Sequence, residues 1–370
     1  MLNFNDIFVD DTKYGMKIPK EKYLSVGLYP VIDQSKEQIA GYTDESEGIY
    51  CDVPAIIFGD HTRIIKYIDV PFFLGADGTK LLKIKDNTAF NCKYLYYALS
   101  NAKIPNTGYN RHFKWLKELS FNIPSIEKQR EIADLMDIIV NLENLRKKQL
   151  EKLELFVKSR FIEMFGEISV NSKHWKESRL EDLIIGKASN GFFAKPDKYS
   201  NDGKIGVICV GDVVNRKYSN INNLRRINMD EVSFKKYKVT YGDMLFCRSS
   251  LVKEGIAKAS IVPKNSENAV FECHVIRIKL NTSIIVPEYM QAFSTTDYFR
   301  NQMIRMSKTA TMTTIGQKDI ISSSVLVPPI DIQNQFVDFM AQVDKSKLAI
   351  QQSLDELETL KKSLMQQYFG

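Results

Sequence analysis

Pro124-Ser125-Ile126-Glu127-Lys128-Gln129 opens a stretch that closes on Phe165-Gly166, and its pattern returns as Pro328-Pro329-Ile330-Asp331-Ile332-Gln333 closing on Phe369-Gly370. Adding 204 to each position aligns the two copies without a gap. Twelve of the 43 pairs are identical, among them Gln129/Gln333, Met136/Met340, Glu154/Glu358, Lys158/Lys362 and Phe165/Phe369, which is well beyond chance. Proline ahead of each start and glycine at each end delimit one long helix per copy.

The apolar residues fall at heptad spacing. The second copy carries Phe336, Val343, Ile350, Leu357 and Leu364 seven apart, with Phe339 beside them. The first keeps Ile132, Leu135, Ile139, Leu142, Leu153 and Phe156, but places Arg146 and Arg160 where the repeat calls for apolar side chains. This pattern predicts an imperfect coiled-coil seam. At 1.5 Å per residue such a helix extends roughly 60 Å, more than a compact domain uses internally, so it reads as a spacer.

Outward from the helices the duplication continues. An offset of 176 pairs Asp6/Asp182, Gly15/Gly191, Lys22/Lys198, Tyr23/Tyr199, Gly27/Gly203, Val31/Val207 and Ile32/Ile208. The offset grows by 28 before the helices, and the Asn215–Lys238 stretch is the expected site of that excess. Short apolar runs in each half, Ala55–Phe58 and Leu81–Ile84, then Met244–Phe246 and Val275–Ile278, predict strands separated by turns such as Gly75–Gly78. Tyr94–Leu99 and Tyr289–Phe293 predict a helix after them. The order is globular, long helix, globular, long helix, with a polar link at Glu167–Lys173, and each globular half is mixed α and β.

With 370 residues, 44% hydrophobic and 26% charged, the chain can build two cores. A formal charge of +6 suits a polyanionic partner and is also ordinary for a soluble protein. The five cysteines Cys51, Cys92, Cys209, Cys247 and Cys273 are scattered without metal-site spacing, which argues for a reducing compartment and against a disulfide framework or structural zinc. No run approaches a membrane span and the start is acidic, so the expected location is cytoplasmic.

No enzymatic constellation survives inspection. Phosphate-cradling glycine loops, His-Glu-x-x-His and Gly-x-Ser-x-Gly are absent from the sequence. Asp60-His61 lacks a second carboxylate or lysine at metal-site spacing, and His112, His174 and His274 fit surface or core positions. What accumulates instead is donor-rich loop sequence of the kind that contacts phosphates and base edges. In the first half these residues are Thr62, Arg63, Asn110, Arg111 and Lys114; in the second, Arg248, Ser249, Lys253, Lys308, Thr309, Thr311 and Gln317. The Asn106–Lys114 and Ser307–Lys318 segments stand at equivalent places before the two helices and differ in residues, as two readers of different sequence would.

The chain resembles the specificity subunit of type I restriction–modification enzymes. The carrying residues are Ile123–Gln129 and Val327–Gln333 with their helices, Trp175-Lys176 with Leu180–Leu183, Gly242–Leu245, and Gly316–Ile320. The resemblance implies an α+β fold with an internal pseudo-two-fold repeat: target recognition domains at 1–123 and 167–327, and conserved helices at 124–166 and 328–370 that pack antiparallel. It implies that each domain reads one half of a gapped site in double-stranded DNA. It further implies a subunit without catalysis or cofactor of its own that docks two modification subunits, which bind S-adenosylmethionine and methylate adenine, and through them the ATP-driven restriction subunits. One departure from the family pattern is that little sequence precedes the first recognition domain. The competing expectation is a coiled-coil protein-interaction scaffold, whose association would be insensitive to salt where DNA binding is not.

Overall fold

Both long helices form, as Ile126–Phe165 and Ile330–Phe369. Gly166 ends the first with φ +78°, a left-handed conformation that a side chain would disfavour, and its N–H closes on Ile162 O at 2.7 Å. The computed structural model describes every residue except Ala76, Tyr109 and Glu267, so Ala76 of the expected Gly75–Gly78 turn and Tyr109 of the first donor-rich loop lie outside the described residues. Contacts divide the chain into unit 1, Met1–Leu150 with Ala349–Gly370, and unit 2, Glu151–Leu348. The division falls inside both long helices.

Unit 1 is built on a four-stranded antiparallel sheet ordered Phe8–Asp10, Thr79–Ile84, Ala55–Gly59, Ile65–Ile68. The uninterrupted apolar run Ala55–Phe58 belongs there because both faces of its strand are covered. Ile56 and Phe58 join the core beneath the helix Cys92–Asn101, whereas Ala55 and Ile57 join a second cluster on the opposite face. Beside it stands a three-stranded sheet, Gly41–Thr43, Tyr29–Ile32, Phe73–Leu74, with the last pair parallel. A short pairing of Leu2–Asn3 with Ser120–Phe121 ties the start of the unit to the segment just ahead of the first long helix.

Unit 2 repeats this strand order. Its four-stranded sheet runs Ser189–Asn190, Val275–Ile278, Met244–Cys247, Ala259–Ile261, and its three-stranded sheet runs Arg225–Ile227, Ile205–Ile208, Ala269–Phe271, again with the last pair parallel. Lys176–Arg179 pairs with Ser324–Val327 as Leu2–Asn3 pairs with Ser120–Phe121. The chemistry of the central strand also repeats, with Met244 and Phe246 on one core and Leu245 on the other.

The helix starts are fixed by one device used twice. Gln129 is fully buried; its Nε2 donates to Ala89 O (3.0 Å) and Pro124 O (2.9 Å), and its Oε1 accepts from Asn91 N (2.9 Å). Gln333, also fully buried, makes the same bonds to Ile284 O (3.1 Å), Pro328 O (2.8 Å) and Val286 N (2.8 Å). An amide serves both sides of this junction because two carbonyls and one N–H there have no partner in a helix or a sheet. The helix ends repeat as well. Phe165 fills unit 2 against Tyr289 (4.8 Å between centroids) and Phe336 (5.3 Å), and Phe369 packs in unit 1 on Tyr94 (5.1 Å). Asn101 Nδ2 donates to Phe369 O at 3.1 Å. Each unit therefore contains the first turns of one long helix and the last turns of the other.

Two expectations need correcting. Leu142 and Phe156, assigned to the seam, are 38% and 53% exposed, although Phe156 still meets Phe339 edge-on at 5.0 Å. The buried line in the first helix is Ile132, Met136, Ile139 and Glu143, answered in the second by Phe336, Met340 and Val343 at the same offset. Alternating steps of four and three carry that line through Met136 and away from Leu142. Leu135, Leu153, Phe339, Ile350, Leu357 and Leu364 are partly buried, and the Arg160 guanidinium lies over the Phe339 ring at 5.8 Å.

The excess of unit 2 is also not confined to Asn215–Lys238. Tyr94 and Tyr289 are equivalent, since their hydroxyls donate to Asn122 O and Leu326 O, and they stand 195 apart where the helices stand 204 apart. The remainder lies in the helix Asp297–Met306, at a place where unit 1 has a loop before its own short helix Phe113–Lys117. That helix packs Phe299 and Met303 into the core of unit 2 while leaving the order of the sheet unchanged.

Candidate nucleic-acid interface

In unit 1 the strand Ala55–Gly59 ends in a tight turn, Asp60–Arg63, onto which the loop before the helix Phe113–Lys117 folds back. Asp60, which sequence reading weighed as an acid or base, is a buried bracket: its Oδ1 accepts from Phe113 N (2.7 Å), and its carbonyl accepts from His112 N (2.8 Å). His61 Nδ1 lies 3.2 Å from Asn110 O. These bonds bring Thr62, Arg63, Asn110, Arg111 and Lys114 together on one end of the unit. Thr62, Asn110, Arg111 and Lys114 are exposed. Arg63 holds a left-handed φ of 60° and donates Nη1 to Ile104 O (3.2 Å), while Thr62 Oγ1 donates to Gln34 O (2.8 Å). The Lys17 ammonium, and more weakly Arg111, hold the Asp77 carboxyl below its usual range.

In unit 2 the corresponding end carries a three-stranded sheet ordered Ser249–Ser250, Thr313–Thr314, Lys308–Thr309. Its register places Ser249 and Lys308 on either side of Thr314, and Ser250 and Thr309 on either side of Thr313. Arg248 anchors the sheet: its N–H donates to His274 O (2.8 Å), its carbonyl accepts from Ile315 N (3.1 Å), and Nη1 donates to Cys273 O (3.2 Å). Lys308, Thr309 and Thr311 are exposed along the hairpin, and Lys253 is exposed in the adjoining loop. Gln317 lies outside this group. With its amide turned to satisfy both ends, it donates to Ala188 O and accepts from Asn190 N, each at 3.0 Å, so its polar atoms are taken by the neighbouring strand.

Sequence reading did not single out Gln34 or Lys258, and it placed His274 only as a surface or core histidine. Gln34 accepts from His61 N (3.1 Å) and donates to Asp77 O (2.8 Å), binding the unit 1 turn from below. His274 Nδ1 stands 3.2 Å from Ser249 Oγ, and a cleft of about 610 Å³ opens here between Ser249, Ser250, Met312 and Lys258. Nothing local in the sequence marks these residues, because strand pairing alone brings them to the loops. Among the described residues no group of His, Cys, Asp and Glu could hold a metal ion, and no helix is long and apolar enough to cross a membrane.

Each unit thus presents, at a strand end, a surface whose Arg, Lys, Asn, Ser and Thr side chains are of the kinds that donate to phosphates and base edges. Similarity points the same way. The specificity subunit of the type I restriction enzyme EcoKI from Escherichia coli K12 is 24% identical over 297 residues, 74% of this chain and 62% of that protein. The StySPI specificity subunit from Salmonella potsdam is 23% identical over 72% of this chain and 61% of its own length. The chain thus spans about three-fifths of the length of these curated relatives. In fold it is similar to the type I restriction-modification S subunit from M. genitalium, with a TM-score of 0.62 at 14% identity over 100% of this chain and 95% of that one. A chain of a type I R-M system solved for its complex assembly and conformational transition gives 0.58 at 13% identity, covering 100% and 96%. The family model for the type I restriction modification DNA specificity domain matches residues 3–155 and 172–359, nearly the whole chain. The protein belongs to that family.

Proposed function

We propose that this chain is the specificity subunit of a type I restriction–modification complex and that each unit reads one half of a bipartite, gapped site in double-stranded DNA. Unit 1 reads with Thr62, Arg63, Asn110, Arg111 and Lys114. Unit 2 reads with Arg248, Ser249, Lys253, Lys308, Thr309 and Thr311. The two long helices pair as an antiparallel coiled coil within an internal pseudo-two-fold repeat and set the gap between half-sites. They also dock two modification subunits and, through them, the restriction subunits. The chain contributes recognition and no bond-making step, so it needs no cofactor of its own.

The observation that carries this reading is repetition beneath difference. Strand order and the glutamine brackets recur in both units, while the loops at the strand ends carry different donors. Helices of roughly 60 Å are long enough to hold two readers over half-sites about one turn of duplex apart, roughly 34 Å. The test is to insert a few residues near Leu145, with a matching insertion in the second helix, and to sequence the methylated sites of the reconstituted enzyme. The expected result is a longer gap between unchanged half-sites. An unchanged gap refutes the ruler.

A further inference from the structure

Unit 2 holds a second cleft, of about 530 Å³, between the first long helix near Lys158, the second near Lys347, and the Asn215–Lys217 loop. Six cationic side chains line it: Lys158, Arg216, Lys217, Lys258, Arg300 and Lys347. Only two carboxylates answer them. Asp344 takes Lys217 at 2.6 Å and Glu154 lies 3.8 Å from Lys347, which leaves a surplus of positive charge facing solvent. Arg300 lies behind this surface: Nη2 donates to Glu254 O and Ile256 O, and Nη1 is buried and has no hydrogen-bond partner among the described residues.

Unit 1 provides an internal control. The equivalent place between its helix segments is a cleft of about 400 Å³. Lys362 and Glu358 stand there at the positions of Lys158 and Glu154, and Glu143 replaces Lys347. That cleft has Lys147, Lys361 and Lys362 against Glu143 and Glu358, and Lys361 is spent on Glu143 at 2.8 Å. The shared helix pattern therefore does not by itself make a cation-rich surface. Arg216, Lys217, Lys258 and Arg300 come from outside the long helices.

The basic cleft is also continuous with the candidate reading surface. Asn215 and Lys258 line both it and the cleft beside Ser249 and His274, and Lys258 Nζ donates to Asn215 Oδ1 at 2.6 Å between them. A duplex whose base edges face Ser249 and Lys308 would carry its backbone past this bridge. We infer that the basic cleft of unit 2 is a phosphate track, gripping the DNA backbone next to the half-site without reading sequence. The inference rests on the proposed DNA-reading role.

The probe is a fluorescein-labelled 40-base-pair duplex of mixed sequence, titrated with the full chain by anisotropy across 50 to 200 mM salt. Arg216→Ala and Lys258→Ala, alone and together, are expected to weaken binding to every duplex alike. Each should flatten the log affinity against log salt slope by about 0.9, so that the loss between those salt concentrations shrinks about threefold per contact removed. Lys158→Ala should behave likewise, and Lys362→Ala in unit 1 should change the slope less. If the variants keep the native slope while Lys308→Ala weakens binding, the track is overturned and the reading surface stands. If they leave DNA binding intact but no longer retain the modification subunits, the occupant is an acidic protein face and the inference falls. Absence of salt-dependent binding by the unaltered chain removes the DNA-reading role together with the track.

Discussion

Gln129 and Gln333 make the same three bonds in two different units, whereas the surfaces those units present share almost no residues. In unit 1 the donors lie on a turn and a folded-back loop braced by Asp60. In unit 2 they lie on a small sheet absent from the described residues of unit 1, anchored by Arg248. The difference teaches where constraint acts. A buried amide that completes three backbone groups has no cheap substitute, because any apolar replacement strands a donor and two acceptors. An exposed loop over an intact sheet can change its chemistry without touching the core.

The sharpest way to break this comparison is Gln129→Leu set beside Gln333→Leu. Each should lower unfolding stability by about 3 kcal/mol, read from denaturant melts, since each orphans three buried backbone groups. Clearly unequal losses would show that the two brackets are not the same device. Next come Arg111→Ala and Lys308→Ala, assayed on duplexes substituted in one half-site at a time. Each should affect only the half-site of its own unit; a lost base contact costs about 1–3 kcal/mol at one position, and a lost phosphate contact weakens all sequences alike. An effect of Arg111→Ala at both half-sites would contradict separate readers. The smallest effect concerns the helix pairing. Lys361→Met should cost about 1 kcal/mol, because it deprives the buried Glu143 of a partner at 2.8 Å, discounted for the solvent that reaches Lys361. Lys347→Met, whose partner Glu154 is exposed and 3.8 Å away, should cost a few tenths at most in the same melts.

The helices, the duplicated order and the central strands were legible in the sequence because each has a period or an offset that survives without knowledge of partners. Ala55–Phe58 and Met244–Phe246 announce doubly covered strands by being apolar throughout. The seam expected through Leu135 and Leu142 runs one step further on, through Met136 and Glu143, because a charged residue gives no sequence signal of a buried line. That line accommodates Glu143 only through Lys361, which lies 218 residues further along the chain. For the candidate surface, residue type picked out the exposed donors on the loops. It could not find Gln34, His274 or Lys258, which reach their places through strand pairing, nor foresee that Gln317 would spend its amide on Ala188 and Asn190.

The way the long helices are shared between units has a consequence for how the molecule is made. Unit 2 is one uninterrupted segment, whereas unit 1 needs Ala349–Gly370 to cover Tyr94 and Asn101. Of the two units, the one that begins to emerge from the ribosome earlier is thus the one completed later. Its aromatic face stays uncovered while some two hundred further residues are translated, and at roughly 5–20 residues per second that wait lasts about 10–40 seconds.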